Sequence, residues 1–532
     1  MTTPVFRGPS ISSSRPSQRC FRGTWWLCGA LACAPLPALA ADVANAPDPD
    51  VLEITGNPAD PGPSCPPPDG TRPDPSLINV DPFVLERFPL RRVLSQLAQQ
   101  AHARRTSALE LYQRLWDSMD TISSGKFEGP HCDANDATLN GFPLECPRPE
   151  VTLVDTQPEL FEPLALTNRF DLAPADGANC GEYRIVYGMK PFSEENRNLI
   201  ILEGVLPNPN PSCGIEACRP VVEFWESLSA YDPASRRERH ALASRLESFY
   251  FRGIPGFRPI LHPDHFGLIG RGGYGGPNGG QVRTNMFVLG TTWQLRDFHL
   301  AKACDRFGCE LYFDPAPVGD NPYPQLFDFN NVSPIAKDFR AAFIPHVEGL
   351  LSDDVNAISL DMDPRFNAAQ STSTGFDDDY AVQMINGLQD GPNDFTRAIR
   401  AELTRLGRAD VSPLDVAERA STQSCAGCHM VSAGLPLSGN GVSGPVWPNV
   451  RPEGFVHIDE ERNLSPGLWC SFLPFRKSVL DAVYENPGKA CPANATYAGP
   501  VRKTIVSVGG RGRHHGPHPS GLTVAGRPFG PN

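Results

Sequence analysis

The stretch Ser424-Cys425-Ala426-Gly427-Cys428-His429 decides how the C-terminal part of this chain is organised. Two cysteines separated by two residues lie within one helical turn, so both thiols can add to the vinyl groups of a single porphyrin. A histidine directly after the second cysteine can then point its imidazole at the iron, and Cys-x-x-Cys-His is the attachment pattern of c-type haem. The sequence therefore predicts one covalent haem c, with Cys425 and Cys428 as thioether anchors and His429 as the proximal iron ligand.

Other interpretations of a Cys-x-x-Cys pair are a disulfide, half of a zinc site and a thioredoxin-like redox pair. A zinc site needs a second ligand pair at matching spacing, and a thioredoxin-like pair needs the strand-to-helix start of a βαβ unit. The sequence supplies neither context, so it favours haem attachment.

The segments around the motif predict two helices with a loop between them. Ser412 is a suitable N-cap and Pro413 a suitable first helical residue, so a helix is predicted over residues 412–429, with the haem anchors on its last turn. Gly444-Pro445 lies in the following loop, and the amphipathic stretch Leu473 to Glu485 predicts the second helix.

This order of helix, motif, Gly-Pro loop and closing helix resembles the small single-haem c-type cytochrome domain. The resemblance covers residues 410–490, under a fifth of the chain, and only the haem motif is specific. It implies a mostly α-helical haem domain in which the Gly-Pro backbone supports the proximal histidine and the closing helix packs across the first.

The sixth iron ligand departs from the family pattern. The usual ligand is a methionine downstream of the motif, but Met430 is the last methionine of this chain and adjoins the proximal histidine. His457, flanked by apolar residues, is the only histidine between the motif and the C-terminal tail, and we expect it to be the distal ligand. An upstream methionine such as Met384 and an open distal site are the alternatives.

The N-terminus predicts export. Four arginines and no acid precede an apolar run from Trp25 to Ala34, and Ala38-Leu39-Ala40 then gives a cleavage site, so residues 1–40 are a predicted signal peptide. A lipoprotein signal ending at Cys33 is the alternative. No later apolar run approaches the length of a membrane span, so we expect a periplasmic or secreted bacterial protein without one.

The formal net charge is -13, which becomes -17 once the four arginines of the signal are removed. An acidic surface argues against nucleic acid and anionic lipid as partners and permits a basic redox partner protein.

Fifteen cysteines are present, and ten of them lie outside both the predicted signal and the haem motif. An even number in an oxidising compartment predicts as many as five disulfides. Proximity along the chain suggests the pairs Cys213 with Cys218, Cys304 with Cys309 and Cys470 with Cys491.

The region before the haem motif predicts a Pro-rich linker over residues 41–80 and a body of unknown function over residues 81–409. Helical periodicity between Phe83 and Met119 indicates one long helix or two joined near residues 104–105. Strand signals surround further helical stretches without regular alternation, which predicts an α+β body. The strand signals are Tyr183 to Tyr187, Leu199 to Leu202, Thr284 to Leu300 and Leu311 to Phe313. Residues 503–532 predict a disordered tail.

These features together predict a periplasmic protein that transfers single electrons through its haem. The alternative is a haem enzyme, peroxidase-like or oxygenase-like, with an open distal site and a substrate pocket in the N-terminal body. A third interpretation makes the body a binding or structural module, with the haem as a redox sensor. The sequence assigns no catalytic residue.

Overall fold

The computed structural model describes ten stretches of the chain, and all of them belong to one compact unit. These are residues 72–117, 137–144, 157–190, 197–267, 279–288, 292–373, 379–388, 391–438, 444–449 and 457–486. The predicted signal peptide, most of the predicted linker and the predicted C-terminal tail lie outside the described residues.

An antiparallel sheet of eight strands forms the centre of the described structure. Its strands are β1 (Ile78–Asn79), β4 (Phe161–Arg169), β5 (Asn179–Met189), β6 (Asn198–Pro207), β7 (Gln281–Val288), β8 (Thr292–Asp305), β9 (Gly308–Ala316) and β10 (Ser371–Thr372). Their order is β1-β4-β5-β6-β7-β8, with β9 and β10 both paired to β8. A separate small hairpin pairs β2 (Thr138–Leu139) with β3 (Phe142–Pro143).

Ten α-helices surround the sheet within the described ranges. They are α1 (Pro82–Leu85), α2 (Leu90–Gln100), α3 (Ala108–Asp117), α4 (Arg219–Glu226), α5 (Arg236–Phe251), α6 (Pro334–Phe343), α7 (Tyr380–Asn386), α8 (Asp394–Arg405), α9 (Pro413–Ser421) and α10 (Leu473–Glu485). The predicted α+β body is therefore confirmed, and every predicted strand signal lies in β5 to β9. The predicted break near residues 104–105 falls between α2 and α3.

Strand β5 shows how the sheet separates two layers. Its residues Tyr183, Ile185 and Tyr187 alternate with Arg184 and Val186, so the two sets face opposite sides. The ring of Tyr183 stacks on Trp225 of α4, with 5.6 Å between the ring centroids. Helices α4 and α5 therefore cover one face of the sheet, and the other face is left for the C-terminal segment.

The C-terminal segment begins as predicted and then departs from a continuous helix. Ser412 and Asp415 form a capping box at the start of α9, with Pro413 at its first position. Helix α9 ends at Ser421, however, and helical backbone resumes at Cys425 as a separate turn. Ser424 Oγ donates a hydrogen bond to the Ser421 carbonyl, 2.9 Å away, and so fixes the bend that separates the two helical pieces.

Helix α10 matches the predicted closing helix from Leu473 to Glu485. It packs against α4 of the body and against the 3-10 turn Phe170–Leu172, while α9 packs against α7. Apolar side chains from both sides of the predicted boundary near residue 410 belong to one hydrophobic core. The separate, mostly α-helical haem domain implied by the resemblance stays a prediction.

Disulfides support the predicted oxidising compartment and correct one predicted pair. Cys304 and Cys309 are bonded as predicted. Cys218 is bonded to Cys180 and not to Cys213, because the start of β5 lies beside the N-terminus of α4. Cys213 and Cys470 each form a disulfide as well. Cys491 lies outside the described residues, so its predicted pairing with Cys470 stays a prediction.

Candidate functional site

The body of the protein holds the backbone of the Cys-x-x-Cys-His turn. The Cys425 N–H donates to Asn321 Oδ1 at 3.0 Å, and the Ala426 N–H donates to the Ser371 hydroxyl at 3.1 Å. The indole N–H of Trp447 donates to the Cys428 carbonyl at 2.9 Å, and the indole is fully buried. The motif is therefore positioned by the sheet region and by the loop that follows Gly444-Pro445.

Gly427 leaves no room for a side chain inside the motif. A Cβ atom built on this residue would lie 1.8 Å from the Ser421 carbonyl oxygen. The close approach of the two backbone segments brings Cys425 and Cys428 onto one helical turn, and only glycine permits it.

Cys425 and Cys428 are the two free cysteines of the described structure. Every other described cysteine is disulfide-bonded. Both free thiols are 1% exposed. Burial raises the pKa of each thiol to about 12, so both are protonated at neutral pH.

The structure brings His429 and His457 together. The two imidazole rings have centroids 4.6 Å apart and are inclined by 55°. Ligand atoms of Cys428, His429 and His457 all lie within 4.8 Å of one another. Two nitrogens that bind one ion from opposite sides at ~2.0–2.1 Å each are separated by about 4 Å, so this spacing fits one shared metal ion.

The surroundings of His429 favour a neutral imidazole, and those of His457 fix the orientation of its ring, as metal ligation requires. The pKa of His429 is lowered to about 4, mainly because the ring is buried. The positive charges of Arg283 and Arg184 lower it further. The His457 Nδ1 atom lies 3.2 Å from the Ser465 hydroxyl oxygen. The edge of the His457 ring also packs against Phe472, with 5.5 Å between centroids. Ser465 and Phe472 therefore fix the ring orientation and assign the ligand role to Nε2.

A cavity lies between these histidines and the second face of the sheet. The space inside it, together with the open solvent at its mouth, amounts to about 680 Å³. One group of lining side chains is apolar and the other is cationic. The apolar group is Val186, Leu199, Ile201, Leu295, Ile458 and Leu468, and the cationic group is Arg169, Arg184, Arg283 and Arg476.

Two features of these residues fit a haem. Two free thiols lie on one helical turn, and two imidazoles lie at a spacing suited to one ion. Neither Cys425 nor Cys428 is among the residues that line the cavity. The donor set also fits a transition metal bound directly by Cys428, His429 and His457.

No family model, no curated protein and no solved structure matches this chain.

Of the residues that the sequence singles out, the structure places Cys428, His429 and His457 in one cluster. Met384, the alternative distal ligand, is buried on α7 and is not among the residues that line the cavity. The sequence analysis missed the cavity arginines. These arginines could have been noticed as charged residues inside otherwise apolar strands, as at Arg184 in β5. Such a residue faces either solvent or a functional site.

Proposed function

We propose that this protein carries one covalent haem c at Cys425 and Cys428 and transfers single electrons through it. The observation that carries the proposal is the redox state of the cysteines. Among the described residues, all cysteines except these two form disulfides, although Cys425 and Cys428 are near neighbours in a compartment that oxidises thiols. A pair of thiols reserved for thioether bonds accounts for this difference.

Each residue of the site has a defined part in this function. Cys425 and Cys428 would anchor the porphyrin, and His429 would bind the iron as a neutral imidazole. Ser465 would keep His457 oriented as the second axial ligand, and the apolar lining would keep water away from the iron. Bound haem supplies a one-electron couple, and two histidine ligands favour a lower potential than a histidine and a methionine, because thioether ligation raises it.

The contact between His429 and His457 favours electron transfer over the haem-enzyme alternative. An enzyme with an open distal site needs a coordination position that an exogenous ligand can reach. Here the rings of His429 and His457 are in contact, with 4.6 Å between their centroids. If both imidazoles bind the iron as proposed, a haem peroxidase or oxygenase would require displacement of His457.

The first experiment is the visible spectrum of the reduced, purified protein with and without carbon monoxide, after pyridine haemochrome analysis for covalent haem. We expect covalent haem, a low-spin spectrum and no shift with carbon monoxide. Absence of covalent haem overturns the proposal. Covalent haem with a large shift supports the enzyme alternative instead.

A second variant tests the proximal ligand separately. We expect His429→Ala, made in a haem-attaching periplasm, to yield little low-spin cytochrome. His346→Ala, at a half-buried histidine outside the cavity, serves as the control and should leave the spectrum unchanged. An unchanged spectrum in His429→Ala contradicts the assignment.

A second candidate function follows from the same cluster, because Cys428, His429 and His457 could bind a copper or zinc ion without any porphyrin. Elemental analysis separates the two candidates. One iron per chain with covalent haem supports the cytochrome, and copper or zinc in haem-free protein supports direct ligation.

The proposed place of action is the periplasm. The disulfides indicate an oxidising, exported compartment. Within the described part of the chain, no helix is both long and apolar enough to cross a membrane. The acidic net charge of -13 supports a basic protein as the electron-transfer partner.

A further inference from the structure

His457 lies at one end of a short hairpin formed by residues 457–465. The Ser465 N–H donates to the His457 carbonyl at 2.9 Å, which joins the two ends of the hairpin. Between them, Ile458 and Leu464 pair as an isolated antiparallel bridge. A two-stranded hairpin is at best marginally stable by itself in water. The position of His457 therefore depends on what anchors this hairpin to the body.

A buried ion pair anchors the tip of the hairpin. Glu460 is 1% exposed, and its two carboxylate oxygens accept hydrogen bonds from Nε and Nη2 of Arg197 at 2.9 and 2.8 Å. Arg197 directly precedes β6 in the centre of the sheet. Its Cζ atom also lies 4.9 Å from the ring centroid of Trp293, near the start of β8. The sheet therefore holds the guanidinium in place to receive the carboxylate.

The edge of the sheet is shaped to receive the hairpin. Gly188 of β5 faces Glu460, and a Cβ atom built on Gly188 would lie 3.3 Å from the Glu460 Cγ atom. The register between β4 and β5 shifts between Pro163 and Ala165. Arg462 Nη2 donates to the Pro163 carbonyl at 3.3 Å. The hairpin thus contacts the start of β4, the end of β5 and the residue before β6.

A buried ion pair of this kind fixes position more than it stabilises the fold. Removal of two charges from water offsets most of their attraction, so the net stabilisation is small. Displacement of the hairpin, however, would leave Glu460 without its partner, which is unfavourable. The fork adds direction, because its two parallel N–H···O bonds form at one relative orientation. In that orientation the ring of His457 lies 4.6 Å from the ring of His429.

We propose that Arg197 and Glu460 are positioning residues for His457, and that they determine whether His457 reaches the ion bound by His429. With the pair intact, both imidazoles would bind the ion. With the pair broken, the hairpin would move away and leave one coordination position open to an exogenous ligand. The role of His457 as an iron ligand rests on the proposed function, whereas the anchoring of the hairpin does not.

The test is carbon monoxide binding by the ferrous, haem-loaded protein in the parent, Glu460→Gln and Glu460→Ala. Glutamine keeps one oxygen acceptor but loses the charge, and alanine loses both. We expect the fraction of haem that binds carbon monoxide at a fixed concentration to rise in that order. The rise should be about tenfold or more in Glu460→Ala, because loss of the fork shifts the equilibrium between bound and released His457. Equal binding in the folded proteins overturns the proposal, and Glu460→Gln alone decides if Glu460→Ala does not fold.

The matched control is Glu247→Ala, which breaks another ion pair between glutamate and arginine. Glu247 on α5 lies 2.6 Å from Arg87 and 2.6 Å from Arg92. We expect this variant to lose stability in urea and to leave carbon monoxide binding unchanged. The comparison separates positioning of His457 from general destabilisation. Carbon monoxide binding that rises equally in Glu247→Ala overturns the proposal.

Hydrogen exchange tests the anchoring without haem. The amides of Asp459, Arg462 and Ser465 donate hydrogen bonds within the hairpin. In haem-free protein we expect Glu460→Ala to speed their exchange about tenfold or more, because the hairpin then opens locally. Diethyl pyrocarbonate should modify the half-buried His457 faster in the same variant, with His346 as the reference. Exchange and modification that match the parent overturn the anchoring.

The haem assay separates failure of this inference from failure of the proposed function. If the parent carries no covalent haem, the proposed function fails, and exchange in the haem-free protein decides whether the ion pair anchors the hairpin. If the parent carries covalent haem and already binds carbon monoxide fully, His457 is not held at the iron and the positioning role is overturned. Covalent haem that binds carbon monoxide only in the Glu460 variants supports both.

Discussion

At the scale of single residues, His457 would decide whether the iron of the proposed haem can bind exogenous ligands. We expect His457→Ala to give a high-spin haem whose ferrous form binds carbon monoxide, because the ring next to His429 is removed. Visible spectra of the oxidised and reduced protein measure this change. His346→Ala is again the control. A low-spin spectrum in His457→Ala would move the distal ligand to another residue.

Gly427 allows a second prediction at this scale. We expect Gly427→Ala to lower the free energy of unfolding by about 1–3 kcal/mol and to reduce the yield of attached haem, because its Cβ would meet the Ser421 carbonyl at 1.8 Å. Urea denaturation and haem staining measure the two effects. Gly319→Ala is the control, since the nearest atom to its Cβ would be 3.8 Å away. Equal stability of the two variants would contradict the prediction.

The sequence was informative about the residues of the proposed haem attachment and silent about those that surround them. Cys425, Cys428 and His429 are recognisable because covalent attachment requires one fixed spacing. His457 was predicted as the distal ligand by elimination, because it is the only histidine between the motif and the C-terminal tail. Arg283 could not be assigned, because its role depends on β6 and β7 lying side by side although they are far apart in the sequence, which a local pattern does not encode.

At the scale of elements, Glu418 of α9 lies near the acidic group at the start of α7. Burial, with the nearby charges of Asp379 at the start of α7 and Asp415, raises the pKa of Glu418 to about 8. A carboxyl with a raised pKa in the folded state stabilises the fold fully below its unfolded pKa of 4.5, and this contribution is lost as the pH rises to 8.

We therefore expect Glu418→Gln to become progressively more stable than the parent between pH 4.5 and 8, by at most about 1.4 kcal/mol per pH unit. Urea denaturation across this range measures the difference. Glu402→Gln on α8 is the control, because the hydrogen bond from Arg405 lowers the pKa of Glu402, so this variant should not gain stability over the parent as the pH rises. Parallel profiles for Glu418→Gln and the parent would contradict the prediction.

The two disulfides with both partners among the described residues should stabilise the fold unequally. Cys180 and Cys218 are 38 residues apart and connect β5 to α4, whereas Cys304 and Cys309 are 5 apart within one hairpin. From loop-closure entropy we expect loss of the first to cost about 4 kcal/mol and loss of the second about 2 kcal/mol. Urea denaturation of the two double Cys→Ala variants measures both, and each is the control for the other. A larger cost for the hairpin disulfide would contradict the argument.

Elements with a strong local pattern were predictable and those defined by pairing were not. Helix α10 begins and ends where its amphipathic pattern does, from Leu473 to Glu485. Strand β4 escaped prediction, because Pro163 interrupts its alternation and the register shifts there. The bend after Ser421 was not predicted either, because it depends on contacts of Ser424 and Gly427 that helix propensity does not describe.

At the scale of the whole molecule, the C-terminal segment and the sheet share one core. Leu480 on α10 is 1% exposed and belongs to the same cluster as Tyr183 of the sheet. We expect Leu480→Ala to cost about 2–5 kcal/mol and to reduce hydrogen-exchange protection of the amides of β5 as well as those of α10. Mass spectrometry of peptides from both elements measures this.

The control for this prediction lies on the same helix. Tyr484 is 47% exposed, so Tyr484→Ala should leave protection of β5 unchanged. If Leu480→Ala affects α10 alone, the haem segment unfolds as an independent domain, as the sequence resemblance implies.

The burial of Cys425 and Cys428 has a consequence for maturation. Both thiols are 1% exposed in the folded chain, beneath backbone held by Asn321 and Ser371. If haem is attached as proposed, the attaching enzymes cannot reach these thiols after folding, so attachment must precede folding. Chains that fold too early would be trapped without cofactor, and the time between export and folding would limit the yield of active protein.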